Sequence, residues 1–166
     1  MSDVFIRRVE PRDLPVLLAI YNHYIETTPI TFDLEPKTLA QRQAWLDTFK
    51  PNGRYQCFVA DHGGEAVGWA CSGRFREKAA YQTSIETSIY LKPGTQGQGL
   101  GRKLYDRLFA ALADEDVHRA YAGITVPNDA SIGVHRAMGF TLVGTYEEVG
   151  RKFGRFWDVA WYVKNL

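Results

Sequence analysis

Leu91-Lys92-Pro93-Gly94-Thr95-Gln96-Gly97-Gln98-Gly99-Leu100-Gly101-Arg102 separates a run with strand character from a run with helical periodicity. Before it, Ser84-Ile85-Glu86-Thr87-Ser88-Ile89-Tyr90-Leu91 reads as a strand. After it, Leu100, Leu104 and Leu108, with Tyr105, Phe109 and Leu112 alongside, fall at helical spacings. Glycines at 97, 99 and 101 let the backbone approach a ligand closely and take conformations closed to residues with a Cβ. A glycine-rich turn at a helix start offers free N–H groups and the positive end of the dipole, which suits a phosphate or pyrophosphate. Arg102 and Lys103 lie just inside the helix, where the dipole disfavours cations, and an anion nearby would account for them. The alternative is a flexible connection with no ligand.

The rest of the chain sets the context for that loop. Its 166 residues are expected to form one domain, residues 1–166, long enough to bury a core. Hydrophobic residues make up 45% and charged ones 23%, a globular composition. A net charge of +1 gives no bulk attraction to nucleic acid or to an anionic membrane, and neither is expected as a partner. No apolar run approaches the roughly 20 residues needed to cross a bilayer. The start, Met1 to Arg8, lacks the basic-then-apolar order of a signal peptide. Cys57 and Cys71 sit in apolar, strand-like runs without a CxxC spacing and read as free thiols in a reducing compartment. Cytoplasmic location is the expectation.

Phe5 to Val9 reads as a first strand, and Arg12 to Glu26 as an amphipathic helix carrying Leu14, Leu17, Leu18, Tyr21 and Ile25. Thr38 and Gln41 have capping-box spacing ahead of a second helix with Leu39, Trp45, Leu46 and Phe49. The period then changes to two: Gln56 to Asp61 and Glu65 to about Phe75 form a hairpin around His62-Gly63-Gly64. Beyond the glycine loop come a strand from Arg119 to Val126 and a short helix from Ile132 to Met138, closed by Gly139. Phe140 to Val149 and Phe156 to Val163 complete the strands. The order β-α-α-β-β-β-α-β-α-β-β predicts an α/β domain, a mixed central sheet flanked by helices, with a parallel crossover at the glycine loop.

Three loop chemistries compete. A P-loop requires GxxxxGK[ST], and the lysine and hydroxyl are missing. A Rossmann fingerprint is GxGxxG near the start of a βαβ repeat, whereas GxGxG here follows several antiparallel strands. Gln96-x-x-Gly99-x-Gly101 at a strand–helix junction resembles the pyrophosphate loop of the GCN5-related N-acetyltransferases, which bind acetyl-CoA. In that superfamily the strand before the loop holds the pantetheine arm, the place of Ile89, Tyr90 and Leu91. Asn128, Ser131 and the Gly139-Phe140 pair also match its pattern. Ile20 to Ile25, Glu86 to Tyr90, Pro127 to Ser131 with His135, and Lys152 to Asp158 are similar to its phosphinothricin and methionine sulfoximine N-acetyltransferase branch.

The resemblance implies acetyl-CoA as co-substrate, held by Ile89 to Leu91, Gln96 to Arg102, Asn128 and Ser131. It implies direct attack by a small-molecule amine in a ternary complex; from the residues themselves, no cysteine is positioned as an acyl carrier and no set of histidines and carboxylates has metal-ligand spacing. Acetyl transfer needs a neutral amine, a polarised carbonyl and a proton for the departing thiolate. Glu86 is the expected general base, on an alternating strand that could aim it into a partly desolvated cleft; otherwise it is a solvated strand carboxylate. His135 stands where many relatives have a tyrosine acid, and either moves a proton or only packs beside the cofactor. Phe32, Arg76, Glu77, Lys78, Glu86, Thr87 and Ser88 are the expected acceptor pocket, with Arg76 and Lys78 for an acidic group. Phe153, Phe156, Trp157 and Trp161 exceed what a last strand needs, and the family favours a homodimer. Acetylation of a protein N-terminus or a polyamine, and a non-catalytic CoA-binding module, remain the alternatives.

Overall fold

The computed structural model describes residues 3–166. Seven strands, β1 (Val4–Arg8), β2 (Cys57–His62), β3 (Glu65–Arg74), β4 (Ser84–Leu91), β5 (Arg119–Val126), β6 (Thr141–Lys152) and β7 (Arg155–Asn165), form one sheet in the order β1-β2-β3-β4-β5-β7-β6. The helices are α1 (Leu14–Thr27), α2 (Leu39–Leu46), α3 (Leu100–Leu112) and α4 (Asp129–Ala137). Every neighbouring pair is antiparallel except β4 and β5, which the glycine loop and α3 connect in parallel. The mixed α/β sheet expected from the sequence is therefore present.

The β4–β5 pairing makes the site. It holds at Ser84↔Arg119, Ile85↔Ala120 and Glu86↔Tyr121, and then stops. β4 stays paired to β3 as far as Leu91↔Gly68, and β5 to β7 as far as Val126↔Asp158. Each strand therefore follows its outer neighbour, and the inner edges part just beyond Glu86. The parted edges carry unpaired backbone groups, which require a partner or water.

Strand alternation distributes β4 between two cores. Ile85 packs with Leu104, Tyr105, Leu108 and Phe140 on the α3/α4 face. Tyr90 joins Leu17, Ile20, Cys57 and Trp69 on the α1/α2 face, stacking on Trp69 with centroids 5.1 Å apart. Glu86 and Ser88, in step with Tyr90, face the same side.

Local hydrogen bonds shift several element boundaries from their expected positions. Pro11–Asp13 is a 3₁₀ turn and α1 begins at Leu14. There Asp13 accepts two bonds from Arg7, at 2.7 and 2.8 Å, and one from the Glu10 N–H. The capping box forms as expected, Gln41 N–H to Thr38 Oγ1 at 3.2 Å and Thr38 N–H to Gln41 Oε1 at 2.9 Å. α2 ends at Leu46, so Phe49 follows it in a tightened turn. α4 begins three residues early because Asn128 Oδ1 accepts from the Ser131 N–H at 3.2 Å, making Asn128 the N-cap. Gly139, at φ +86°, closes it. The last two strands are longer than expected: Phe153 and Gly154, at φ 54° and 72°, make a two-residue hairpin turn. Among the described residues no helix is long and apolar enough to cross a membrane.

Candidate active site

The glycine loop delivers the backbone where α3 starts. Gly99 is the N-cap in the left-handed region at φ +73°, and Gly97 has φ +80°. A Cβ at either position would meet nothing within 4 Å, so both glycines are required by conformation and leave the space above them open. The first N–H groups of α3 have no carbonyl partner within the helix. Gly101 serves a different end: a Cβ there would lie 3.0 Å from Val134 Cγ2 and 3.4 Å from Ile89 Cδ1, so it lets α3 approach α4 and β4. Gln96 Oε1 accepts from the Gly94 N–H at 2.8 Å and braces the turn.

A cavity of about 590 Å³ runs from this loop along β4, with Ile89, Tyr90 and Leu91 on one side and Asn128, Ser131 and Val134 on the other. Tyr24 on α1 closes its third side, donating to the Leu91 carbonyl at 2.5 Å. An anion-suited end joined to a narrow, largely apolar groove with a free strand edge fits a molecule with a pyrophosphate and a neutral amide-bearing arm. The donor set matches acetyl-CoA.

The groove continues into a cleft of about 340 Å³ through the shared walls Ile89, Tyr90, Asn128 and Ser131. Glu86 stands in this cleft where β4 and β5 part. Burial pushes its carboxyl above the ordinary 4.5, and the Arg76 guanidinium only partly offsets that. A half-buried carboxylate with a raised pKa is suited to accept a proton.

His135 lies deeper, only 2% exposed. The Ser131 carbonyl sits 2.7 Å from Nδ1, and since a carbonyl only accepts, the proton is on Nδ1. Nε2 is then an acceptor for the Tyr105 hydroxyl at 2.8 Å. Burial holds the imidazole below its usual 6.5, against a smaller opposing effect of the Ser131 carbonyl. With both nitrogens engaged and the ring neutral, the arrangement favours packing and positioning over proton donation. A stability measurement tests this. The unfolded chain binds the proton first as pH falls, so the stability from a neutral His135 is full above about 6.5 and declines below it. Denaturant midpoints of His135→Gln and the parent chain should differ at pH 7.5 and converge toward pH 5.5.

The structure brings together most of the expected residues. Phe32, Glu86, Thr87, Ser88, Asn128, Ser131 and His135 line the cleft, and Gln96, Gly97, Gly99, Leu100 and Gly101 the groove. Gln98 and Arg102 line neither; Arg102 is largely exposed, 3.9 Å from Asp106. Glu77 and Lys78 are exposed and also line neither, and Arg76 lies over Phe75 and Trp161 at 4.2 and 5.6 Å. Trp161 departs from the expected aromatic face: it turns inward, lines the cleft and covers Gly123, where a Cβ would lie 3.0 Å from its ring. The sequence reading missed Tyr21, Thr31, Gly123 and Thr125 as cleft residues, and Tyr24 and Val134 in the groove. Tyr21 and Tyr24 fall in the Ile20 to Ile25 stretch that carries the resemblance, which by itself gives them no place in the site. The loop carrying Phe32 is fixed by Tyr21 donating to Asp33 at 2.5 Å, and by the buried Lys152 donating to the Thr31 carbonyl at 2.8 Å.

Comparisons with known proteins agree with this geometry. The sequence profile of the acetyltransferase (GNAT) family matches residues 17–140. A phosphinothricin N-acetyltransferase of Streptomyces coelicolor is 51% identical over 99% of this chain and 98% of its own. An L-methionine sulfoximine/L-methionine sulfone acetyltransferase of Pseudomonas aeruginosa is 37% identical over 97% of this chain and 94% of its own. The crystal structure of a phosphinothricin acetyltransferase from Sinorhizobium meliloti, in complex with AcCoA, superposes with a TM-score of 0.91 at 32% identity, covering 100% of this chain and 89% of that one. With a glycine cradle at the start of α3, strands that part at a carboxylate and relatives matched nearly end to end, this chain belongs to the GNAT acetyltransferase family.

Proposed function

We propose that residues 1–166 act as one N-acetyltransferase domain that moves the acetyl group of acetyl-CoA onto the α-amine of a small amino-acid-like acceptor such as phosphinothricin or methionine sulfoximine. The observation that carries this is the position of Glu86, a carboxyl of raised pKa in the cleft into which the donor groove opens. Bound acetyl-CoA supplies an activated thioester. Glu86 takes the ammonium proton, directly or through a water, and leaves the nitrogen lone pair free. Backbone N–H groups on the unpaired edge of β4 near Ile89 stabilise the carbonyl oxygen as charge develops. The N–C bond forms as the C–S bond breaks, and the further proton lost by the attacking nitrogen passes, directly or through water, to the departing thiolate. Phe32, Arg76, Thr87 and Ser88 orient the acceptor, with Arg76 available to an acidic group. Cys57 and Cys71 are buried and free, which supports direct transfer and a reducing, cytoplasmic setting.

Thiol release is the test, with phosphinothricin and methionine sulfoximine set against peptides and spermidine. Release should require both substrates and be fastest with the two amino-acid analogues. Turnover of peptides or spermidine alone would overturn the acceptor assignment, and acetyl-CoA binding without turnover of any amine would favour a regulatory module.

A homodimer is part of the proposal. Leu142, Val143, Tyr146, Val149, Phe153 and Phe156 are each more than half exposed on the β6–β7 hairpin, whose outer strand ends the sheet. An apolar edge of this size calls for a partner. Light scattering should give about twice the 18.8 kDa chain mass. Val149→Glu with Phe153→Glu should bring it to one chain; a monomeric parent would refute the dimer.

A further inference from the structure

A second cavity, of about 500 Å³, adjoins the cleft on the α1/α2 side of β4, and Glu86 and Ser88 belong to the walls of both. Trp45, Phe49 and Tyr55 supply its rings and Gly73 its wall on the sheet. Neither the glycine loop nor the loop carrying Phe32 contributes to it. Its volume falls within the range of roughly 300–1,000 Å³ that small-molecule sites occupy.

The aromatic wall is formed in advance. Trp45 and Phe49 meet edge to face with centroids 4.9 Å apart. Behind them the Arg42 guanidinium lies 3.4 Å from the Trp45 ring centroid, with Tyr21 and Trp69 on its other sides. Arg42 is 5% exposed, so it holds Trp45 from within. A fixed edge-to-face pair offers a surface on which a third ring gains contact at little ordering cost.

Charge selects the occupant. Arg74 and Glu86 are the charged groups on the cavity wall, and Arg42 lies behind Trp45 outside it. A cationic side chain would meet the Arg74 guanidinium. An acidic side chain would lie against Glu86 itself. A neutral ring meets neither penalty, and Arg74 is the group on this wall suited to an acceptor carboxylate.

We propose that this cavity binds the side chain of an aryl L-α-amino acid of phenylalanine type, with its amine at Glu86, giving the enzyme a second class of acceptor. The fate of the amine rests on the acetyl-transfer reading above; binding rests on the cavity alone. The transfer step is the same: the amine proton passes to Glu86, the N–C bond forms and the C–S bond breaks.

Gly73 gives the test. Its φ is outside the left-handed region, and a Cβ there meets only the Glu86 carbonyl, at 4.0 Å. The series Gly73→Ala, Gly73→Val and Gly73→Leu therefore fills the cavity in steps. The parent chain should acetylate L-phenylalanine, and calorimetry should detect its binding to CoA-saturated protein. Along the series the kcat/KM ratio of L-phenylalanine to phosphinothricin should fall, by about tenfold or more at leucine, and the calorimetric signal should fade with it. Unchanged affinity for CoA confirms that each variant is folded. The proposal is overturned by a parent chain that neither binds nor acetylates L-phenylalanine, or by a series that depresses both acceptors equally. If phosphinothricin is not acetylated while L-phenylalanine binding weakens along the series, the acceptor assignment of the previous section fails and this one stands.

Discussion

Glu86→Gln is expected to bind acetyl-CoA with unchanged affinity and to lose about 10²–10⁴-fold in kcat at neutral pH, the range contributed by a positioned general base. Glutamine keeps the volume and a hydrogen-bonding oxygen but cannot take the proton. The pH profile separates this from a structural defect. In the parent chain kcat/KM should rise with pH through the Glu86 ionisation, which burial holds above 4.5. The variant should lack that limb and respond only to the free amine of the acceptor. Stability should move the other way. A carboxyl whose folded pKa is raised contributes most below its unfolded value of 4.5, and that contribution is lost as pH rises through the folded pKa. At pH 7 Glu86 therefore costs stability, and Glu86→Gln should melt at the same temperature or higher. A dead enzyme with a raised melting temperature fits a catalytic carboxylate; full turnover would remove Glu86 from the role.

Gly99→Val is expected to damage donor binding. A β-branched residue at φ +73° is strained by roughly 1–2 kcal/mol, and relief of that strain rotates the first N–H groups of α3 away from the groove. Dissociation constants for acetyl-CoA, measured by calorimetry, should rise about tenfold or more, with little change in the ionisation seen in kcat. The two variants thus separate the halves of the site. Gly99→Val weakens the donor and spares proton transfer, and Glu86→Gln does the reverse. Unchanged acetyl-CoA affinity in Gly99→Val would remove the loop from anion binding.

Both variants fall on residues legible in the sequence. Gly97, Gly99 and Gly101 announce themselves because few residue types tolerate their conformations or approaches, so spacing alone marks them. Glu86 stands out because it is the one ionisable carboxyl of the alternating strand that leads into that loop. His135 was visible as a candidate, but its role was not. Whether a histidine holds a free proton depends on Ser131 and Tyr105, the first four residues back on the same helix and the second on another. Trp161 read as one of a set of surplus aromatics, and tertiary packing alone turns it inward over Gly123 while Phe153 and Phe156 stay outside.

The sequence by itself determined the order of elements, the mixed α/β sheet and the glycine turn that opens α3, because periodicity, caps and glycines act over a few residues. Only the tertiary structure decided where β4 and β5 part, which side chains face that gap and how an aromatic wall of Trp45, Phe49 and Tyr55 comes to stand beside Glu86. Those features come from residues far apart in the chain, and the strand separation follows from each strand's pairing with its outer neighbour. The conformation of the loop is local; the shape of the cleft around Glu86 belongs to the packed sheet and helices.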